Sequence, residues 1–209
     1  MAGNEGVGVV VEVGSGVKDL VKDDLVVPGQ AGLGTFRSAG VFPSSKLLSV
    51  PKDLPVDVAA TVGWSPCTAY RLLEDFTALK AGDVVVQNGA DGVVGQSVVQ
   101  MAKERGLKTV SIVADGVNYE ATAESLKALG GDIVVSESYA ASSDFTRLWS
   151  DLPGAALALN GSGGPSVHEM TRHLSDGATL VTYGGATRQA VAVPTSSFVF
   201  KYVQRQTLI

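Results

Sequence analysis

The sequence predicts an α/β fold in which a parallel, doubly wound sheet follows a shorter section built only of strands. Three observations predict it. From about residue 80 onward, short apolar runs alternate regularly with segments of helical period. These runs are rich in Val, Ile and Leu without polar alternation, which is typical of parallel strands covered on both faces. A glycine-rich turn joins the first run to the helical segment after it.

The first section of the chain has the pattern of strands and no helical period. Apolar runs at 7–14 and 23–29 predict two strands, and residues 40–51 predict one or two more. Helical period begins near residue 55. A break at 63–66, where glycine and proline stand, separates two helical segments.

The change of period places a domain boundary after residue 50, so that residues 1–50 and 51–209 form different domains. Residues 137–145 are predicted to be a polar loop, and residues 196–209 one more helix and the start of a sixth strand. Strand alternating with helix in this way makes a doubly wound sheet. The other strands of the second domain are predicted at 83–88, 109–113, 132–135, 155–160 and 178–183. The other helices are predicted at 93–105, 119–129, 144–149 and 164–174.

Composition excludes several classes of function. The net charge is -5 and the Lys and Arg residues are scattered, which disfavours a nucleic-acid partner. No apolar run approaches the roughly 20 residues of a transmembrane helix, so we expect no membrane association. The single cysteine cannot form an internal disulfide, which favours a reducing compartment. The first residues have the pattern of a strand interior, which predicts a piece of a longer protein.

The turn from Gly89 to Gly95 has a GxxGxxG spacing between a predicted strand and a predicted helix. Glycines at these places let the chain turn tightly, let the backbone approach a pyrophosphate, and let the helix pack close to the strand. The helix N-terminus offers free N–H groups to the phosphates. Asp115 follows the next strand, 20 residues after Gly95, where the ribose-binding acidic residue of a dinucleotide site is expected. We therefore predict a nicotinamide dinucleotide site.

Several segments together resemble the medium-chain dehydrogenase/reductase superfamily and, within it, the mitochondrial enoyl-thioester reductases. The resemblance implies a Rossmann NAD(P)-binding domain at 51–209. It also implies that residues 1–50 are part of a β-rich, GroES-like catalytic domain. The segments that carry it are GNEGVG (3–8), AGLGTFRS (31–38), PCTAYRLL (66–73), QNGADGVVGQ (87–96), LALNGSGG (157–164) and VTYGGAT (181–187).

The resemblance implies reduction of the double bond of a trans-2-enoyl thioester, carried on CoA or on acyl-carrier protein, in mitochondrial fatty-acid synthesis. A nicotinamide dinucleotide delivers hydride to Cβ, and a proton is added at Cα. The family's cofactor is NADPH. The resemblance also implies a homodimer that pairs through the sixth strand.

Family roles at the cofactor carry over to matching positions only. Ser65 stands where the family has an asparagine that contacts the cofactor. Ala114 stands where NADPH-dependent members carry an arginine for the 2′-phosphate, and Asp115 would suit NADH. The family also has an aspartate at this place, so Asp115 alone does not decide between the cofactors. The resemblance implies NADPH, and the local chemistry leaves NADH open. The phosphate loop matches Gly89, Asp91, Gly92, Val93, Val94 and Gly95, and the nicotinamide and ribose segment matches Tyr183, Gly184, Gly185 and Ala186.

No residue of this chain matches the catalytic tyrosine of the family, which lies upstream of the segment 3–8. We therefore name no catalytic residue and expect the chain alone to be inactive. Zinc is not expected, because Asn4 stands where zinc-dependent members have a histidine. One Cys and two His residues hardly allow a site of four ligands.

Other interpretations stay open. The glycine turn fits the quinone reductases of the same superfamily nearly as well, and a binding protein without turnover, or a domain that binds no nucleotide, would also have this pattern. Cys67 and Tyr70 are expected in the core, and His168 and His173 are expected to have structural or surface roles.

Overall fold

The computed structural model describes residues 2–208 and divides the chain into two units, residues 1–67 and 68–209. We call them the N-terminal unit and the C-terminal unit. The division falls further along the chain than the boundary predicted after residue 50. The reason lies in the first helical segment, because the turn that follows it packs on a strand of the N-terminal unit. A Cβ added at Gly63 would lie 3.7 Å from the side chain of Val27.

The N-terminal unit contains a three-stranded antiparallel sheet in the order β1-β2-β3. Its strands are β1 (Gly8–Val9), β2 (Leu25–Pro28) and β3 (Leu47–Val50). The strand predicted at 7–14 is much shorter in the structure. Asp23 adopts a φ of 69°, and the turn at Asp23 and Asp24 exchanges backbone hydrogen bonds with Val10, so the pairing with β2 ends there. The predicted helical segments are α1 (Val56–Val62) and α2 (Ser65–Glu74).

The C-terminal unit contains a six-stranded parallel sheet in the order β6-β5-β4-β7-β8-β9. The doubly wound sheet predicted from the sequence is confirmed. The strand order reverses between β4 and β7, and ligands of such sheets bind at the carboxyl ends of the strands at this switch point. The strands are β4 (Val84–Asn88), β5 (Lys108–Val113), β6 (Ile133–Ser136), β7 (Ala155–Asn160), β8 (Leu174–Thr182) and β9 (Gln204–Thr207).

The predicted helices are present, with one addition. The polar loop predicted at 137–145 is wrong, because a short helix and the start of the next occupy it. The Ser136 hydroxyl accepts a hydrogen bond from the Tyr139 N–H and caps the short helix, while Ala140 and Phe145 are buried. No helix among the described residues is both long and apolar enough to cross a membrane. The helices are α3 (Val93–Glu104), α4 (Tyr119–Ala128), α5 (Glu137–Ala140), α6 (Ser143–Leu148), α7 (Ser166–Arg172) and α8 (Thr195–Phe200).

Strand β4 lies at the centre of the core. Its valines are fully buried, and they alternate between the two faces of the sheet. Val84 and Val86 pack in the cluster that contains Phe145, whereas Val85 packs in the cluster that contains Leu72. Because helices cover both faces, the strand needs no polar alternation, as its sequence indicates.

Two expectations about the core are wrong. Tyr70 is 50% exposed, and the Arg105 guanidinium lies 5.3 Å from the centre of its ring. The thiol of Cys67 is exposed and donates to the carbonyl of Val62 at 3.2 Å. Both residues lie on α2, whose buried positions are Ala69, Leu72 and Leu73. Helical spacing predicts that one face is buried, and these two side chains lie on the other.

His173 ends α7 inside a group of aromatic rings. Its ring stacks on Trp149, with centroids 4.9 Å apart and planes 4° apart, and it meets the edge of Phe145 at 5.0 Å. Burial lowers the pKa of His173 to about 4, and the charges of Arg172 and Lys201 act in the same direction. His173 is thus a neutral packing residue, in agreement with the structural role expected of it.

We predict that His173 makes the fold sensitive to mild acid. Its pKa is 6.5 when unfolded and about 4 when folded, so only the unfolded chain gains the proton as pH falls between these values. The stability present above pH 6.5 is therefore lost progressively toward pH 4. In His173→Phe, which keeps a ring in the stack, the fall of the urea midpoint from neutral pH to about pH 5 should be smaller by about 0.3 M.

The matched control is His168→Gln, because the His168 side chain is exposed on the same helix. This variant should keep the pH profile of the unmodified chain. Equal pH profiles for His173→Phe and the unmodified chain would show that His173 does not carry the effect.

Candidate functional site

Three loops follow neighbouring strands at the carboxyl edge of the C-terminal unit. They are the glycine turn (89–95) after β4, the 161–164 loop after β7 and the 183–187 loop after β8. Since β4, β7 and β8 are adjacent in the parallel sheet, these loops meet at one edge. The glycine turn and the 161–164 loop flank the switch point of the strand order.

The glycine turn presents the start of α3 without a side-chain cap. Gly89 has a φ of 60°, and its carbonyl accepts from the Gly92 N–H at 3.1 Å, which closes the turn. Gly92 precedes α3 and has no side chain that could bond the first N–H groups of the helix. Asp91, Gly92 and Val93 are exposed. An uncapped helix start with exposed backbone suits an anion such as pyrophosphate.

Gly95 brings α3 close to the turn that precedes it. A Cβ added there would lie 2.5 Å from Cα and 2.6 Å from the carbonyl oxygen of Ala90, and both residues are buried. These are backbone atoms, so no side-chain movement could make the space. Gly95 therefore packs the helix against the turn, while residues 91–93 before it are exposed. The packing role predicted for a turn glycine is present at Gly95, and the approach of the turn backbone to a pyrophosphate stays a prediction.

Two asparagines that end neighbouring strands hold the 161–164 loop. The Asn88 side chain accepts from the Gly161 N–H at 2.8 Å and the Ser162 N–H at 3.2 Å, and it donates to Ser166. The Asn160 side chain accepts from the Gly163 N–H at 2.8 Å. Both asparagines are fully buried. These buried side chains therefore fix the backbone of the 161–164 loop.

The 183–187 loop runs beside the 161–164 loop. The Tyr183 N–H donates to the carbonyl of Asn160 at 3.0 Å, and the Thr187 N–H donates to the carbonyl of Ser162 at 2.9 Å. A Cβ at Gly184 would lie 2.6 Å from the carbonyl oxygen of Gly161, so the two backbones approach closely. Gly185 and Ala186 are exposed beyond this contact. The segment predicted to line a nicotinamide and ribose thus lies at the predicted edge.

The Tyr183 ring lies against the 161–164 loop. A Cβ added at Gly161 would lie 2.5 Å from the Tyr183 hydroxyl. Burial raises the pKa of Tyr183 to about 12, and the negative charge of Asp91 in the glycine turn adds to this. The phenol therefore stays protonated near neutral pH and can act there as a hydrogen-bond donor.

Asp115 lies just past β5, exposed together with Ala114. Its carboxylate accepts two hydrogen bonds from Ser138, one from the N–H at 2.9 Å and one from the hydroxyl at 2.6 Å. The hydrogen bond from the Ser138 hydroxyl is the largest cause of the lowered pKa of Asp115, so the carboxyl group of Asp115 is an anion near neutral pH. Asp115 lies just past β5, as predicted, and a side chain of helix α5 holds it.

The sequence did not single out Asn88 or Ser138. Asn88 stands directly before the first glycine of the turn, and its amide at the end of an apolar run was the signal available in the sequence. Nothing local marks Ser138, because its partner lies 23 residues away along the chain. Ser65 begins α2 in the N-terminal unit and is half-buried, and its cofactor role stays a prediction. Among residues 2–208, no three metal-ligating side chains cluster.

Comparison with curated proteins finds a close relative along nearly the whole chain. The mitochondrial enoyl-[acyl-carrier-protein] reductase of Dictyostelium discoideum is 49% identical over 205 residues, which are 98% of this chain and 59% of that protein. The chain therefore spans little more than half the length of this relative. No protein-family model matches the chain.

Solved structures agree with this comparison. The mitochondrial 2-enoyl thioester reductase Etr1p/Etr2p heterodimer from Candida tropicalis matches with a TM-score of 0.93 at 30% identity, over 99% of this chain and 62% of that one. Etr1p in complex with NADP and crotonyl-CoA has the same TM-score of 0.93. The Escherichia coli quinone oxidoreductase with NADPH matches at 0.83 and 23% identity, over 99% of this chain and 63% of that one. This last likeness shows the fold alone.

We predict that Gly95→Ala destabilises the fold. The new methyl group would overlap backbone atoms of Ala90, so α3 must move away from the turn. The free energy of unfolding in urea should fall by about 1–3 kcal/mol.

The matched control is Gly92→Ala, since a Cβ at Gly92 would meet only the Gly89 carbonyl oxygen, at 3.4 Å. This control should change the free energy of unfolding little. If both variants were equally stable, the close approach of α3 to the turn would not depend on the glycine.

Proposed function

Because this chain belongs to the family of the mitochondrial enoyl-[acyl-carrier-protein] reductases, in the medium-chain dehydrogenase/reductase superfamily, we propose that it forms the cofactor-binding part of a zinc-independent trans-2-enoyl-thioester reductase. The identity to the Dictyostelium protein along nearly the whole chain carries this proposal. The compartment is the mitochondrion, which the curated relatives name.

The cofactor is a reduced nicotinamide dinucleotide, NADPH as in the Etr1p complex. When bound, it supplies the hydride for Cβ of the enoyl thioester. The first N–H groups of α3, at Val93 to Gly95, would hold the pyrophosphate. The segment from Tyr183 to Ala186 would line the nicotinamide and its ribose.

The chain's own groups orient and enclose the cofactor. Asn88 and Asn160 fix the 161–164 loop, and Tyr183 stays protonated, so this edge has donors and no ionised phenol beside the reacting ring. No described residue is assigned as proton donor at Cα. We place part of the catalytic domain at residues 1–50 and the Rossmann domain at residues 51–209, although the compact units of the structure divide after residue 67.

The substrate is a trans-2-enoyl thioester of CoA or acyl-carrier protein, in keeping with the crotonyl-CoA bound by Etr1p. The proposal includes a homodimer. Strand β9 pairs with β8 on one side, and within the described residues no strand covers its other edge. An uncovered edge offers unpaired N–H and C=O groups to a second strand, so a second copy could continue the sheet there.

A graft tests the reductase assignment. The matching segment of the Dictyostelium reductase is replaced by residues 1–209, and the hybrid is assayed with NADPH and trans-2-hexenoyl-CoA by loss of NADPH absorbance. We expect turnover within about tenfold of the unmodified relative, because the graft supplies the cofactor edge and the relative supplies the rest.

The control is the same hybrid with Val93→Asp. Val93 is exposed in the first turn of α3, where a carboxylate suits the helix dipole but repels a pyrophosphate. It should fold normally and lose most of its activity through a raised KM for NADPH. A hybrid that reduced quinones and not the enoyl thioester would contradict the proposal in favour of the quinone reductases.

A further inference from the structure

We propose that the cofactor site of this chain accepts NADH as well as NADPH, because the described residues around the end of β5 present a fixed carboxylate and no cation. This inference rests on the proposed function and defines which dinucleotides the site takes. The two cofactors differ only in the 2′-phosphate of the adenosine ribose. The discrimination between them therefore depends on the groups that surround that position, at the end of the second strand of the dinucleotide fold.

The described turn at the end of β5 has no cationic side chain that could pair with a phosphate. Ala114 offers a methyl group, and Gly116 and Val117 complete an exposed, uncharged turn around Asp115. The neighbouring first turns of α4 and α5 contribute Glu120 and Glu137. Every charged side chain on these three segments is therefore negative. A phosphate placed here gains no charge-assisted hydrogen bond of the kind that a guanidinium supplies.

The cations on the elements next to this turn lie at the opposite ends of those elements. Lys108 begins β5, Lys127 lies in the last turn of α4, and Lys103 lies in the last turn of α3. In a parallel sheet, these positions belong to the amino edge. Arg188 lies at the carboxyl edge, but it follows β8, which is separated from β5 by β4 and β7.

Ser138 fixes the carboxylate of Asp115 in place. Its N–H bonds Oδ2 at 2.9 Å and its hydroxyl bonds Oδ1 at 2.6 Å. Ser138 is itself held, because its hydroxyl lies 2.9 Å from that of Ser136, the residue that caps α5. Each carboxylate oxygen keeps a further lone pair that could accept from a ribose hydroxyl. We therefore assign Ser138 as a positioning residue, which acts on the cofactor through Asp115.

The balance of these effects sets the expected discrimination. A held carboxylate favours a 2′-hydroxyl and repels a 2′-phosphate. Because the Asp115 side chain is exposed, water and salt screen this repulsion. The repulsion should then weaken NADPH by less than about tenfold relative to NADH. Without an opposing cation, nothing described at this turn favours NADPH strongly.

Calorimetric titration of the 209-residue chain with NADH and with NADPH tests the inference. We expect both to bind, with dissociation constants within about tenfold of each other. An NADPH affinity more than about thirtyfold above that for NADH would overturn the inference and leave the proposed function standing. If neither dinucleotide bound, the proposed cofactor function would fail, and this inference would fail with it.

Variants test the contributions of Ala114 and Asp115 separately. Ala114→Arg should tighten NADPH about tenfold and change NADH less than about twofold, because only the phosphate can pair with the guanidinium. Asp115→Asn should shift the ratio of affinities about threefold toward NADPH. A ratio unchanged in Asp115→Asn would contradict the role of the carboxylate.

Ser138→Ala should weaken NADH more than NADPH, since the carboxylate loses one of the bonds that holds it toward the ribose. The matched control is Ser142→Ala, because the Ser142 hydroxyl donates to the carbonyl of Tyr139 at the other end of α5 and has no bond to Asp115. If Ser138→Ala weakened both cofactors equally, or behaved as Ser142→Ala does, Ser138 would have no positioning role.

Discussion

The close approach of α3 to the glycine turn after β4 is the constraint on which the rest of the carboxyl edge depends. At Ala90 and Gly95 the backbones are so near that no side chain fits between them. This contact fixes where α3 begins, and hence where its uncapped N–H groups point. Because every residue of β4 is buried, the helix start follows directly from a strand in the core of the sheet. A dinucleotide site needs this placement before any side chain can contribute.

Two buried asparagine side chains fix the 161–164 loop beside the glycine turn. Asn88 and Asn160 each lie at a strand end with no exposure to water, and each bonds backbone N–H groups of the 161–164 loop. A buried polar group must be satisfied, so these bonds specify one loop conformation and not merely a stable one. The Tyr183 ring then lies against Gly161. The three loops form one surface because neighbouring strand ends share these contacts.

The sequence predicted most of the sheet, because apolar runs and helical period are local patterns. It also predicted the glycine turn and the place of Asp115, since spacing alone determines both. Features that depend on distant partners were missed or wrong. The contact of Ser138 with Asp115 cannot be predicted from the sequence, because the two residues meet only when β5 and β6 pair. Tyr70 was expected in the core because helical period does not show which face of α2 is buried.

Amide hydrogen exchange would show most directly whether a nicotinamide dinucleotide lies across the glycine turn. NADPH is added to the chain, and exchange is measured residue by residue. A dinucleotide bound there should slow exchange at the first N–H groups of α3, Val93 to Gly95, and in the 161–164 and 183–187 loops. The edge strand β9, at the far side of the sheet, should be unaffected. Unchanged exchange at the start of α3 in the presence of NADPH would mean that no dinucleotide binds at the glycine turn.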